Sequence, residues 1–256
     1  MATIEMNMLS VITCGSISLR VFCPGMDKLA LDDSKHEKKY PVLWLLHTDG
    51  GAALDFLETP AERCAEKYGI FIIAPDQHHA LCTDMAFGPR YEHFVNTELL
   101  GICRNCLPIS EEPGDNWIGG VGTGAYGAVK MALKHPETFS RAVAINGVLD
   151  MEAVIARALA GEDTGICHNK ASLEAVFGDL AAFHGSENDL YALAAKGTES
   201  RFCFLWEQDA GVAEENKRLA ALVNAEVREL EAGADLETCQ QSLRAAVKWL
   251  TEEVSQ

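Results

Sequence analysis

Asn116-Trp117-Ile118-Gly119-Gly120-Val121-Gly122-Thr123-Gly124-Ala125-Tyr126-Gly127-Ala128-Val129-Lys130 reads as a short strand, a tight glycine turn and then a helix. Glycines suit such a junction, because the turn is strained and carries the strand backbone close to the helix that follows. Gly120 and Gly124 flank the tip, and the tip itself, Gly122, has no side chain.

Working outward, Val42-Leu43-Trp44-Leu45-Leu46-His47 is a continuous apolar run of the kind found in strands covered on both faces of a parallel sheet. Thr48-Asp49-Gly50-Gly51 follows as a loop. Thr59-Pro60-Ala61-Glu62 opens a helix, with Thr59 as cap and Pro60 in the first turn. Ile70 to Ala74 reads as a second buried strand, stopped at Pro75-Asp76. Residues 77 to 91 form a loop holding His78, His79, Cys82 and Arg90, and a helix is predicted over about 92 to 106. The turn's own helix ends near His135-Pro136. Strands are then predicted at Arg141 to Asn146, Arg201 to Trp206 and Ala225 to Leu230, with helices at Val212 to Val223 and Leu236 to Val254. Ahead of all this, residues 3 to 23 hold two β-rich runs that turn at Cys14-Gly15, and residues 27 to 39 read as a polar surface loop. Residues 150 to 198 contain helical patches and no strand, so they read as a cap-like insertion over the sheet's edge. Strands alternating with helices imply a doubly wound, mostly parallel sheet flanked by helices, an α/β domain with a small helical insertion. Ligands on such sheets bind at the carboxyl ends of the strands.

One domain is expected for 256 residues at 48% hydrophobic and 23% charged content. No apolar run is long enough to span a bilayer, and the first residues lack a basic stretch followed by an apolar core. Nine scattered cysteines then suit reduced thiols in the cytoplasm better than a disulfide framework. A net charge of −17 argues against nucleic acid or an anionic membrane as partner, since phosphate binding needs clustered Lys and Arg. That charge says little about a small neutral ligand, and a homo-oligomer stays open.

Four segments together resemble the esterase D group of α/β-hydrolases, with its tributyrin esterases, feruloyl esterases and S-formylglutathione hydrolases. Pro41 to His47 resembles that group's strand before the oxyanion loop. Thr83 to Tyr91 is similar to its segment before the third major helix. Tyr126 to Pro136 and Asn146 to Asp150 resemble its elbow helix and the strand end after it. The resemblance implies an α/β-hydrolase fold and cofactor-free hydrolysis of short acyl esters. It also implies a Gly-x-Ser-x-Gly elbow and a triad in the order nucleophile, acid, histidine.

Against that pattern the chain departs at three places. Gly122 stands at the nucleophile position. Taking Thr123 instead would put Val121 and Ala125 at the small flanking positions and aim the hydroxyl away from the tip. The acid position is Asp209, retained. The histidine position falls in Gly233-Ala234-Asp235, on Ala234. The last histidine of the chain is His184, so none follows Asp209 and a triad in that order cannot form. The oxyanion loop, His-Gly-x-Gly-Gly in the group, is His47-Thr48-Asp49-Gly50-Gly51. The backbone N–H groups of Asp49 and Thr123 are the expected donors, and the Asp49 carboxylate would oppose a developing oxyanion.

His47, Thr48, His78 and His79 are the candidate pocket residues. His78-His79 with Asp76 and Cys82 have metal-ligand chemistry, but the resemblance implies a pocket-lining loop there, so no metal is expected. Cys103 and Cys106 match a redox pair in spacing only, being inside a predicted helix. Cys167-His168 could form a Cys–His pair or be plain loop residues, and Glu252-Glu253 reads as a solvated face. The expectation is an esterase-like protein that has lost its triad and binds a ligand or partner. Two alternatives stand beside it. One is an ester hydrolase in which His47, His78 or His79 activates water near Asp209. The other is a structural or regulatory subunit of an active paralogue.

Overall fold

The computed structural model describes residues 2–25, 38–77, 79–208, 210–231 and 235–252. Most of the expected 27–39 loop, together with His78, Asp209 and Ala234, lies outside them. In chain order the elements are β1 (Thr3–Ser10), β2 (Gly15–Phe22), β3 (Val42–Leu46), α1 (Ala61–Tyr68), β4 (Phe71–Pro75), α2 (Tyr91–His93), α3 (Leu100–Cys106), β5 (Asn116–Val121), α4 (Thr123–Lys134), β6 (Arg141–Ile145), α5 (Met151–Ala160), α6 (Lys170–Phe177), α7 (Leu190–Ala194), β7 (Arg201–Glu207), α8 (Ala213–Val223), β8 (Glu226–Leu230) and α9 (Asp235–Glu252).

The eight strands form one sheet in the order β1-β2-β4-β3-β5-β6-β7-β8. β1 pairs antiparallel with β2, and β2 with β4; every other pair is parallel. This is the doubly wound, mostly parallel sheet expected from the alternation of strands and helices. β3 and β4 are buried along their whole length, because helices cover both faces. The pleat sends Trp44, Leu46 and Ile118 to one face, against Tyr126 and Val129 of α4. Leu43, Leu45 and Trp117 face the other way, toward Cys64 of α1 and Val247 of α9.

Two boundaries differ from the sequence reading. Thr59 does not cap α1 directly: Pro60 holds that position, and Thr59 Oγ1 accepts the Ala61 N–H at 3.3 Å. The helix expected over 92 to 106 is α2 and α3 joined through a π-helical stretch, Phe94–Leu99, a local widening that hydrophobic periodicity does not reveal.

The register aligns Leu46 with Gly120 and Gly120 with Ala144. The carboxyl ends of β3, β5 and β6 therefore share one rim, with the loops from His47, Gly122 and Asn146 on it. α4 is held tightly under that rim. A Cβ on Gly124 would overlap the carbonyl oxygens of Leu46 and His47, and one on Gly120 would overlap the Gly124 carbonyl. Both flanking glycines are thus fixed by backbone contact between helix and strands.

Residues 151–194 hold the short helices α5, α6 and α7 between turns, and they lie over the rim rather than an edge strand. Tyr126 of α4 donates to the Asn188 carbonyl at 2.6 Å. The N–H groups of Ala86 and Phe87 donate to the carbonyls of Val176 and Ala175, each at 2.9 Å. A buried charge network ties the same parts together. Lys130 of α4 is fully buried, with its Nζ 2.6 Å from Thr83 Oγ1, 3.2 Å from Asn188 Oδ1 and 3.3 Å from Glu92 Oε2.

Candidate active site

The tip of the strand–turn–helix is Gly122, at φ 58° and ψ −120°. A side-chain-bearing residue adopts that conformation only under strain of about 1–3 kcal/mol. Glycine takes it freely. The tip is pinned on both sides: Gly122 N–H donates to the Ile145 carbonyl at 2.9 Å, and its own carbonyl accepts from Val148 N–H at 3.1 Å and Ala125 N–H at 3.2 Å.

Thr48 stands over the tip. Its Oγ1 lies 2.6 Å from where a Cβ on residue 122 would be. The same oxygen accepts the Thr123 N–H at 3.4 Å and lies 3.3 Å from Thr123 Oγ1. Thr123 Oγ1 in turn accepts the Asp49 N–H at 2.6 Å. The hydroxyl of Thr123 therefore points into the loop after β3. The backbone donors of Asp49 and Thr123 each have a hydroxyl partner from this chain.

The Asp49 carboxylate turns away from those donors and contacts His168 Nε2. The two side chains are only 4% and 2% exposed. His168 Nδ1 is buried with no hydrogen-bond partner. His79 lies beside them, with its ring centroid 6.1 Å from that of His168. It is exposed and has φ 58°. One ligand atom each of Asp49, His79 and His168 lie within 4.8 Å of one another.

His47 has both ring nitrogens engaged: Nδ1 is 2.7 Å from the Thr48 carbonyl and Nε2 accepts the Gln77 N–H at 3.0 Å. With Nδ1 carrying the proton for the carbonyl, neither nitrogen is free to take a proton from water. Two cavities of about 220 Å³ open here, one between His47, Thr48, Phe56 and Val121, the other between His47, Gly50, Asp76 and His79.

The family follows from comparison with known proteins. Residues 28–225 match the model of the Esterase family, described as "Putative esterase". The chain belongs to this esterase family. It is 25% identical to an acetyl esterase of Caldicellulosiruptor saccharolyticus over 98% of this chain and 99% of that one. Among solved structures it is similar to FphF, a fluorophosphonate-binding serine hydrolase of Staphylococcus aureus, with a TM-score of 0.86, 22% identity and 98% of each chain covered. It is also similar to an S-formylglutathione hydrolase of the same organism, with a TM-score of 0.82, 22% identity, and 98% of this chain and 99% of that one covered. The eight-stranded sheet is accordingly an α/β-hydrolase fold.

On this esterase frame the rim gathers Gly122, Thr123, His47, Thr48, Asp49 and His79. Of the metal-type set weighed from sequence, His78 lies outside the described residues, and Asp76 lines one cavity with His79. Asp76 Oδ1 accepts the Ala53 N–H at 2.7 Å, and Cys82 is fully buried, its thiol pushed up to about 12 by burial. Cys103 is buried and its thiol pushed up to about 12 for the same reason, while Cys106 is exposed. Cys167 is exposed, and its histidine neighbour is turned to Asp49 rather than to the thiol. The Asp49–His168 contact was missed from sequence; its partners are 119 positions apart, and no local pattern links them. Among the described residues no helix is long and apolar enough to cross a membrane.

Proposed function

We propose that this esterase-family chain has given up acyl-enzyme chemistry and uses the rim of its sheet to bind a small, ester-like ligand. One observation carries the reading: the Thr48 hydroxyl fills the space over Gly122 where a serine side chain would project. The filled donors of Asp49 and Thr123 support it. An oxyanion hole works through donors held open for charge that develops in the transition state. Here each would first have to release a hydroxyl. The absence of any histidine after Asp209 supports it as well. The engaged nitrogens of His47 count against that residue as a substitute base.

The test is a hydrolysis assay of the purified protein on p-nitrophenyl acetate and butyrate, with thermal shifts recorded against the matching acids and non-hydrolysable esters. Turnover no faster than buffer, together with a saturable shift for one of these ligands, is expected. A kcat/KM of about 10⁴ M⁻¹s⁻¹ or more, within the ordinary enzyme range, would refute the reading.

A further inference from the structure

We propose that Asp49, His79 and His168 form a binding site for a divalent transition-metal ion of the zinc class. Two imidazoles and one carboxylate are a ligand set that such ions take readily, leaving a further coordination position for water or a ligand atom. The three residues come from three separate loops: after β3, after β4, and between α5 and α6. Their ligand atoms are already within 4.8 Å of one another, so small side-chain adjustments bring them around one ion.

The protonation of the buried pair gives the second argument. His168 Nε2 faces the Asp49 carboxylate, and Nδ1 has no partner. If the ring is neutral with its proton on Nε2, a buried lone pair on Nδ1 is left bare. If the proton sits on Nδ1, that donor is unsatisfied, and the Nε2 lone pair faces a carboxylate. If both nitrogens are protonated, the Nδ1 donor is still unsatisfied. A buried polar group without a partner is costly, so each protonation state leaves the pair incomplete within the chain. A cation between Nε2 and the Asp49 carboxylate turns the facing lone pair and carboxylate into ligands, with the ring proton on Nδ1. His79 is exposed at φ 58° next to the pair, and the 220 Å³ cavity it lines with Gly50 and Asp76 gives the ion access from solvent.

A second cluster, Glu152, His184 and Asp189, also has ligand atoms within reach of one another. It is the weaker candidate. His184 is 79% exposed, and the Asp189 carboxylate already accepts the N–H groups of Gly185, Tyr191 and Ala192.

The proposal is independent of whether the elbow is catalytic, and its test does not use activity. Chelator-stripped protein is titrated with zinc and with cobalt(II), by calorimetry and by absorption. His79→Ala, Asp49→Asn and Glu152→Ala/His184→Ala are measured alongside. The expected result is one site per chain, weakened at least about 100-fold in both His79→Ala and Asp49→Asn and unchanged in the double variant. His79 is on the surface, so its replacement leaves the fold intact and keeps the test informative if Asp49→Asn destabilises its loop. No binding by the unsubstituted chain, binding indifferent to His79→Ala, or loss confined to the Glu152/His184 variant would overturn the proposal.

Discussion

The triple variant Thr48→Gly/Gly122→Ser/Ala234→His is expected to hydrolyse p-nitrophenyl acetate at least about 100-fold faster than the unsubstituted chain, while Gly122→Ser alone stays at the background rate. The single change fails for three reasons. A Cβ on residue 122 would lie 2.6 Å from Thr48 Oγ1, so the new side chain and Thr48 compete for one space. The φ of 58° adds strain that glycine avoids. No histidine follows Asp209 to take the serine's proton. Replacing Thr48 clears the tip and frees the Thr123 N–H, and Ala234→His restores a base at the position implied by the family's order. Stability should follow the same coupling. Gly122→Ser is expected to destabilise by about 2 kcal/mol or more, and Thr48→Gly to recover part of that in a double-mutant cycle of urea midpoints. Simple additivity of the two changes would mean that Thr48 does not occupy the tip.

Glu92→Gln should cost about 3–5 kcal/mol, lowering the melting temperature by roughly 10 °C. Lys130 is fully buried, and Glu92 is its carboxylate partner at 3.3 Å; Lys134 meets the other Glu92 oxygen at 2.5 Å. Glutamine keeps the shape but leaves the Lys130 ammonium in the core with neutral partners only. Burial alone would raise the Glu92 carboxyl. The contact with His135 and the ammonium groups of Lys130 and Lys134 outweigh that and hold it at about 2. A carboxyl depressed in this way contributes its stability above its unfolded value of 4.5, and loses it as pH falls from there toward 2. The unsubstituted chain should therefore lose about 3 kcal/mol across that window that Glu92→Gln does not lose. Adding Lys130→Met to Glu92→Gln should recover part of the cost, because the uncompensated charge goes with it. Equal acid sensitivity in Glu92→Gln and the unsubstituted chain would contradict this account.

Much of the fold was readable because β3 and β4 are buried on both faces and so carry unbroken apolar runs, and because Gly120 and Gly124 mark a helix pressed onto strands. That residue 122 has no side chain and that no histidine follows Asp209 was readable from the sequence itself. The way the tip is filled was not. That Thr48 leans over residue 122, and that Thr123 turns its hydroxyl to the Asp49 N–H, depends on how two loops 75 positions apart meet. The same holds for His168, whose contact with Asp49 no local pattern beside Cys167 indicates. Its true neighbour, Asp49, is brought to it by the course of residues 161–169 over the rim, a path set by tertiary packing rather than by local propensity. The π-helical stretch Phe94–Leu99 was missed because one widened turn leaves the apolar periodicity of the helix nearly unchanged.

The central claim is that no hydroxyl at the elbow acts as an activated nucleophile. Intact-mass analysis after exposure to a fluorophosphonate tests it most directly, because this reagent phosphonylates an activated hydroxyl without needing the natural substrate. The unsubstituted chain is expected to gain no mass, while the triple variant gains one phosphonyl group on residue 122. A one-to-one adduct on Thr48 or Thr123 of the unsubstituted chain would contradict the claim and make that threonine the working nucleophile.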